Sequence, residues 1–99
     1  MITEIATITI DPSRAEAFEA AVAKALPLFR AAEGWRGMTL EREVENPSHY
    51  YLIAQWDNVE DHTVKFRGSE AFRGWRALVG DFFVTPPAVV HSRVAARFS

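Results

Sequence analysis

The chain has 99 residues, of which 48% are hydrophobic and 12% aromatic, with a formal net charge of −2 and no cysteine. This length fits one domain over residues 1–99. The slight acidity disfavours a nucleic-acid binder, and the lack of cysteine excludes disulfides, thiolate metal sites and cysteine nucleophiles. No run approaches the roughly 18 apolar residues of a membrane span, and the opening residues lack a signal-peptide pattern. We therefore expect a cytoplasmic protein with no membrane partner.

The first predicted elements are a strand and a helix. Ile2 to Ile10 alternates between two faces and is rich in β-branched residues, which is typical of a strand. Asp11-Pro12 then provides a helix N-cap and a proline at the first helical position. An apolar stripe predicts an amphipathic helix and consists of Phe18, Val22, Leu26 and Phe29. We expect Pro27 to kink this helix, which should end near Ala32, before Gly34.

A hairpin is predicted next. Trp35 to Val44 and His49 to Trp56 both have the composition of strands. The residues between them include Asn46-Pro47-Ser48, a strong turn signal. The short connection therefore indicates two neighbouring antiparallel strands.

The second helical region is predicted to be broken in two. Asp57 and Glu60 have the spacing of a capping box and would open a short helix over Val59 to Phe66. Gly68-Ser69 interrupts that helix, and the serine can cap the next one. The stripe of this next helix contains Phe72, Trp75, Val79 and Phe82 or Phe83.

A last strand over Val89 to Ala95 completes the order βαββαβ. This order predicts a ferredoxin-like α+β fold, with an antiparallel four-stranded sheet and both helices on one face. Both faces of the third strand are largely apolar, although the uncovered face of such a sheet should be polar in a monomer. We therefore expect a homodimer with its two sheets packed face to face. A mildly apolar sheet exposed to solvent is the alternative.

His62 is the strongest candidate for chemistry. It lies three residues after Val59 and four before Phe66, so on a helix it shares their apolar face. Histidine titrates near neutral pH and can serve as a base in a pocket; a core histidine bonded to a backbone carbonyl is the alternative. Neither a helical pair of metal-ligating histidines nor a glycine-rich phosphate loop is present. We expect no metal and no cofactor.

Several short runs occur in an order and spacing typical of one family. They are Glu33-Gly34-Trp35, Leu40-Glu41-Arg42, Tyr51-Leu52-Ile53-Ala54-Gln55-Trp56, Glu60-Asp61-His62, Phe66-Arg67-Gly68-Ser69, Phe72, Trp75-Arg76-Ala77-Leu78, Asp81-Phe82-Phe83 and Pro87-Ala88-Val89-Val90-His91. Over nearly its whole length the chain thus resembles the antibiotic biosynthesis monooxygenase family, whose members are dimeric α+β barrels. The resemblance implies oxidation of a small hydroxylated aromatic, such as a quinol or an anthrone, by dioxygen without a bound cofactor.

That chemistry needs one base, hydrogen-bond donors and a dry cavity between sheet and helices. We predict His62 as the base. The predicted substrate-binding residues are Trp56, Phe66, Tyr51, Trp75 and His91. Core packing is the alternative for both tryptophans, and His91 is also a secondary candidate base. Tyr50 and Tyr51 point to opposite faces, and the sequence does not say which one reaches the pocket.

Three other functions have the same fold. A haem-degrading relative requires an asparagine in the first strand, a helical tryptophan and a histidine ligand, whereas this chain has no such asparagine and places Phe66 and Arg76 at the other positions. An RNA-recognition module requires a basic and aromatic signature that His49 to Trp56 lacks. A dimeric binding or accessory protein without activity stays open.

Overall fold

The computed structural model describes all residues 1–99 and contains the predicted ferredoxin-like α+β fold. A four-stranded antiparallel sheet has the order β2-β3-β1-β4. Its strands are β1 (Ile2–Thr9), β2 (Trp35–Arg42), β3 (His49–Trp56) and β4 (Ala88–Ser92). The helices are α1 (Ala15–Arg30) and α2 (Glu70–Val79), with a π-helical segment (Asp61–Phe66) before α2. Short 3₁₀ turns cover Pro12–Arg14 and Gly80–Phe82.

The first helix differs from its prediction at both ends. Asp11 caps the 3₁₀ turn, through a hydrogen bond from the Ser13 backbone N–H, and α1 itself begins only at Ala15. The helix continues through Pro27 and ends at Arg30, two residues before the predicted end. Pro27 removes one backbone donor, but its side of the helix is exposed, so the freed carbonyl can bond to water. Ala25, rather than Leu26, completes the buried stripe.

The first part of the broken second helix is wound differently from the prediction. The segment Asp61–Phe66 is π-helical, and the backbone N–H of Arg67 bonds to the carbonyl of His62, five residues back. The predicted capping box is absent, because Asp57 forms a double hydrogen bond with Arg36 instead. Ser69 caps α2 as predicted, accepting a hydrogen bond from the Phe72 N–H. A π-turn of this kind displaces side chains from ordinary helical positions and often marks a functional site.

The last strand is shorter than predicted. It ends at Ser92, not Ala95. Ser92 pairs with Thr3, and β1 begins only one residue before Thr3, so the residues after Ser92 have almost no partner strand. The second strand likewise stops at Arg42, two residues before the predicted Val44. Both corrections shorten edge strands, whose ends depend on the neighbouring strand and not on their own composition.

The two faces of the sheet differ in burial. The inner face packs against α1 and α2, and it includes fully buried positions on β1 and β3 such as Ile8, Tyr50 and Trp56. The outer face has no covering layer in the single chain. Apolar residues nevertheless lie side by side on it, because Ile5 pairs with Ile53 on one neighbouring strand and with Val90 on the other. Val90 is 59% exposed. An apolar row thus crosses the outer face, where the sequence predicts a second copy.

None of the helices has the length and the apolar composition that crossing a membrane would require.

Candidate active site

A cavity of about 230 Å³ lies between the inner face of the sheet and the helices. Its wall is mostly apolar and includes Glu4, Ala6, Ile8, Phe29, Leu52, His62, Phe66, Arg67, Phe72, Trp75, Arg76, Phe83, Pro86, Pro87 and Val89. The position agrees with the predicted pocket between sheet and helices. Two polar groups in this wall are buried in the protein, the Glu4 carboxyl and the His62 imidazole.

Glu4 is a residue that the sequence analysis did not select. It lies in β1 between Ile2 and Ala6 on the inner face, and it is only 4% exposed. Its Oε1 accepts a hydrogen bond of 3.0 Å from the indole Nε1–H of Trp56. Burial raises the pKa of the Glu4 carboxyl, and this effect outweighs the opposing effects of Trp56 and Arg67. The alternation of β1 does contain a signal, because a carboxylate at an inward position is rare.

His62 reaches the same place from the π-helical segment. Its ring stacks on Trp56, with 5.3 Å between ring centroids and 27° between planes. The Nε2 atom lies 3.4 Å from Oε1 of Glu4, and Nδ1 lies 2.9 Å from Nε2 of His91. His91 is brought there by the sheet, because it is the direct partner of Glu4 in the pairing of β4 with β1. Three titratable side chains from three elements therefore meet in one cluster.

The imidazole of His62 is neutral at pH 7. Burial, together with the charge of Arg67 and the proximity of His91, lowers its pKa to about 4. Burial and Arg67 also lower the pKa of His91. A neutral imidazole has one N–H and one acceptor nitrogen, so the short contact between the two histidines is an N–H···N hydrogen bond. Its direction is set by which nitrogen of His62 carries the proton.

Aromatic side chains next to the cluster form much of the cavity wall. Phe29 stacks on Phe66 at 4.8 Å and meets Trp75 edge-on at 5.1 Å. Phe72 packs edge-on against Phe66 at 5.7 Å. Such walls suit a flat, apolar ligand, since rings can stack on them or meet them edge to face.

Two arginines also line the cavity. Arg67 and Arg76 are both exposed, and neither forms an ion pair or a side-chain hydrogen bond in the structure. The charge of Arg67 favours the deprotonated forms of Glu4, His62 and His91 alike. The cavity therefore has a positive potential at its mouth, which favours a negative charge on a bound molecule.

The predicted site residues fall into three groups. His62, Phe66 and Trp75 line the cavity. Trp56 is fully buried behind His62, and His91 lines a smaller pocket of about 140 Å³ at the sheet edge while bonding to His62. The structure does not place Tyr51 in the cavity. This tyrosine points to the outer face and donates a hydrogen bond to Glu43, because its neighbour occupies the inward position of β3.

That neighbour, Tyr50, is buried to 1% exposure and donates a hydrogen bond of 2.5 Å to Glu19. Burial and Glu19 raise the pKa of Tyr50 to about 12. The structure therefore settles which of the two adjacent tyrosines points inward. Tyr50 packs in the α1 half of the core, edge-on to Phe18 at 5.0 Å, and is also absent from the cavity wall.

No group of three or more histidine, aspartate or glutamate side chains is arranged to hold a metal ion. The positions that a haem-degrading relative would use are also occupied differently. Phe66 is buried in the aromatic wall. Arg76 is at the mouth, and a guanidinium group cannot ligate iron.

Comparison with known proteins identifies the family of the chain. The model of the family described as antibiotic biosynthesis monooxygenase matches residues 1–78. A Bordetella bronchiseptica protein, crystallised as a proposed antibiotic biosynthesis monooxygenase, is 45% identical, with a TM-score of 0.93 over 96% of this chain and 97% of its own. The uncharacterised protein YczJ of Bacillus subtilis (strain 168) is 33% identical over 91 residues, 92% of this chain and 96% of YczJ.

The structure of Rv0793 from Mycobacterium tuberculosis shares the fold, with a TM-score of 0.77 and 22% identity over 99% of this chain and 98% of its own. The family match spans β1 through most of α2 and so includes Glu4, His62 and the aromatic wall. The protein belongs to the antibiotic biosynthesis monooxygenase family.

Proposed function

We propose that the protein is a homodimeric monooxygenase that oxidises a small hydroxylated aromatic, of the quinol or anthrone type, with dioxygen and no bound cofactor. The observation that carries this proposal is the contact between the buried Glu4 and His62 in the wall of an otherwise largely apolar cavity. Family membership supports the monooxygenase class. The aromatic wall supports an aromatic substrate. The cavity volume of about 230 Å³ supports a small substrate, because most ligand sites have roughly 300–1,000 Å³.

The reaction begins when the substrate loses a hydroxyl or enolic proton to the buried cluster. The resulting anion gives electrons to dioxygen more readily than the neutral molecule does. In an anthrone, a ring CH₂ becomes C=O and that carbon supplies all four electrons. In a quinol, a ring C–H becomes C–OH and the diol becomes a quinone, and each change supplies two electrons. In both reactions one oxygen atom of O₂ enters the product and the other leaves as water. The protein must take up a proton and later return it, exclude water and stabilise negative charge.

Each of these requirements has a counterpart in the cavity. The neutral His62 and the carboxyl of Glu4 can exchange protons. Phe66 and Trp75 can hold the rings, and Arg67 supplies the positive potential that favours an anion. The predicted role of His62 as the direct base stays a prediction.

The homodimer is part of the proposal. The outer face of the sheet carries the apolar row through Ile5, Ile53 and Val90, and a second copy would cover this row face to face. Sedimentation equilibrium should give twice the mass of the chain, 11.2 kDa. A single-chain mass at micromolar concentration would refute this part alone.

The activity is tested by oxygen uptake with a panel of anthrones and quinols, with ¹⁸O₂ as the oxidant. We expect uptake above the rate in buffer, with one labelled atom in the product and the other in water. The matched control is the exposed-surface variant Glu16→Gln, in the first turn of α1, which should behave like the wild type. The absence of uptake with every compound would contradict the enzymatic proposal.

A binding or accessory protein is the second candidate, and one observation favours it. Nδ1 of His62 is hydrogen-bonded to His91 and the residue is only 3% exposed, as expected of a structural histidine. On this hypothesis the same aromatic compounds bind, with quenching of Trp75 fluorescence, but consume no oxygen. Binding and uptake measured on the same compounds therefore separate the two functions.

A further inference from the structure

The contacts of His62 leave it poorly placed to take a proton from a substrate directly. Nδ1 is held by Nε2 of His91 at 2.9 Å, and Nε2 lies 3.4 Å from Oε1 of Glu4. An imidazole has only these two proton-binding atoms. A substrate hydroxyl could reach Nδ1 only by displacing His91, and it could reach Nε2 only in competition with the neighbouring carboxyl group of Glu4.

Glu4 has a free proton-binding atom at the same place. The contacts to Trp56 and His62 both fall on Oε1, which leaves Oε2 available. Glu4 also lines the cavity, whereas Trp56 and His91 do not. A hydroxyl in the cavity can therefore approach the carboxyl group without disturbing the cluster.

The surroundings of Glu4 orient the carboxyl group in the resting protein. Its side chain is 4% exposed, and the indole N–H of the fully buried Trp56 fixes Oε1. The ring of His62, stacked on that indole, has its Nε2 beside the same oxygen. The distance of 3.4 Å is longer than an ordinary hydrogen bond, and such contacts often tighten when a substrate binds.

We propose that Glu4 is the catalytic residue that accepts the substrate's proton, and that His62 and His91 hold this proton until it returns to the reduced oxygen. This inference rests on the proposed function. The proton moves from the substrate hydroxyl to Oε2 of Glu4. When the carboxyl group of Glu4 turns and gives this proton to Nε2 of His62, the Nδ1–H of His62 moves to Nε2 of His91. The reverse movement delivers the proton to the terminal peroxide oxygen. That oxygen leaves as water when the oxygenated carbon gives up its remaining proton, so the cluster ends as it began.

Charged and titratable groups face this cluster from three elements. Glu4 comes from β1, His62 and Arg67 come from the π-helical segment and the residue after it, and His91 comes from β4. Arg76, from α2, lines the same cavity. Any pH dependence of the cluster below pH 8 arises from the glutamate and the two histidines.

The variant Glu4→Gln tests the proposal, because glutamine can still accept the bond from Trp56 but cannot take a proton. We expect kcat to fall about 100-fold, within the usual contribution of a general base, with KM nearly unchanged. The remaining reaction should depend on hydroxide and rise about tenfold per pH unit. Glu16→Gln is the matched control. A Glu4→Gln enzyme with the rate and pH profile of the wild type would overturn the inference while leaving the proposed function intact.

His91→Gln tests the second half, because its amide can still contact Nδ1 of His62 but cannot relay a proton. We expect kcat to fall about tenfold and the acidic limb of the pH profile to move. An unchanged rate and profile would overturn the role of His91.

A measurement without turnover keeps the inference testable if Glu4→Gln does not fold or if no substrate is found. In the wild type, the ring ¹⁵N signals of His62 and His91 should shift together as Glu4 titrates. Independent shifts would overturn the cluster as a unit, whatever the outcome of the oxygen-uptake experiment.

Discussion

Two carboxylates on opposite faces of the sheet have the same kinds of neighbour. Each accepts a hydrogen bond from an aromatic side chain and lies beside a histidine. On the inner face this carboxylate is Glu4, in the cluster described above. On the outer face Glu43 accepts a bond of 2.6 Å from the Tyr51 hydroxyl and lies 3.2 Å from Nδ1 of His49.

Their pKa values nevertheless move in opposite directions. The pKa of Glu4 is raised, because burial outweighs its hydrogen bond. The pKa of Glu43 is lowered, because the bonds from Tyr51 and His49 outweigh the smaller desolvation of this half-buried group. The comparison teaches that the kinds of partner do not decide the chemistry of a carboxylate; its access to water does.

The largest expected difference between the two regions is in turnover. His62→Ala should lower kcat about 100-fold, because it removes the group to which Glu4 passes its proton. His49→Ala, its counterpart on the outer face, should leave kcat within about twofold because it contacts no part of the cavity. Oxygen uptake by both variants, with circular dichroism as a check on folding, measures this difference. Equal losses would remove the distinction between the clusters.

Acid stability should show the next largest effect. The folded pKa of His62, about 4, is below its ordinary value of 6.5, so the unfolded chain binds the proton first as the pH falls. Stability is therefore lost between pH 6.5 and about 4, by roughly 3 kcal/mol at 1.36 kcal/mol per pKa unit. The raised pKa of Glu4 offsets part of this loss.

The check is urea unfolding across this pH range for the wild type and for His62→Gln. The variant should have a flatter pH dependence because it no longer carries the titrating imidazole. A wild-type stability that does not change between these pH values would show that the imidazole is not buried as described.

Matched carboxylate substitutions should give smaller and opposite changes. Burying the charge of Glu4 destabilises the fold at pH values above its raised pKa, and this destabilisation is absent below pH 4.5, the ordinary pKa of a glutamate. Glu4→Gln should therefore raise the urea midpoint at pH 7. Glu43 stabilises the fold above 4.5 and loses this effect as the pH falls through its lowered pKa, so Glu43→Gln should lower the midpoint at pH 7. Both differences should shrink at low pH, and shifts of the same sign would contradict the comparison.

The smallest effect is expected at Tyr51. Tyr51→Phe removes the hydroxyl from the outer cluster and changes nothing in the cavity wall. The kcat should stay within about twofold of the wild type, whereas Trp75→Ala, which opens the aromatic wall, should raise KM. A large loss of activity in Tyr51→Phe would restore the tyrosine to the substrate site, for example through a second copy.

Sequence reasoning placed most strands within two or three residues, because a two-residue alternation reports directly which side chains are buried. It failed where the backbone departed from regular geometry. The apolar pattern contains no signal for the π-turn that presents His62 and Phe66. The predicted capping of that segment failed because Asp57 accepts hydrogen bonds from Arg36 instead. The shortened β4 was set by the start of β1, because Ser92 pairs with Thr3.

The same local periodicity predicted part of the site. The apolar stripe around His62 correctly indicated an inward side chain, and the aromatic wall followed from helical spacing. Glu4 was missed, although its inward position could be read from the alternation of β1. The orientation of Tyr51 could not be decided, because Tyr50 and Tyr51 are both large aromatics and the strand is apolar on both faces.

The amino-acid sequence by itself determined the elements, their order, their buried faces and the family, because local periodicity and motif spacing are properties of neighbouring residues. Only the tertiary structure decided that Glu4, Trp56, His62 and His91 meet. That meeting depends on strand order, on the register that sets Glu4 opposite His91, and on one widened helical turn. Contacts between residues so far apart in the chain are fixed by packing of the whole fold, and the pKa values follow from the burial that only this packing creates.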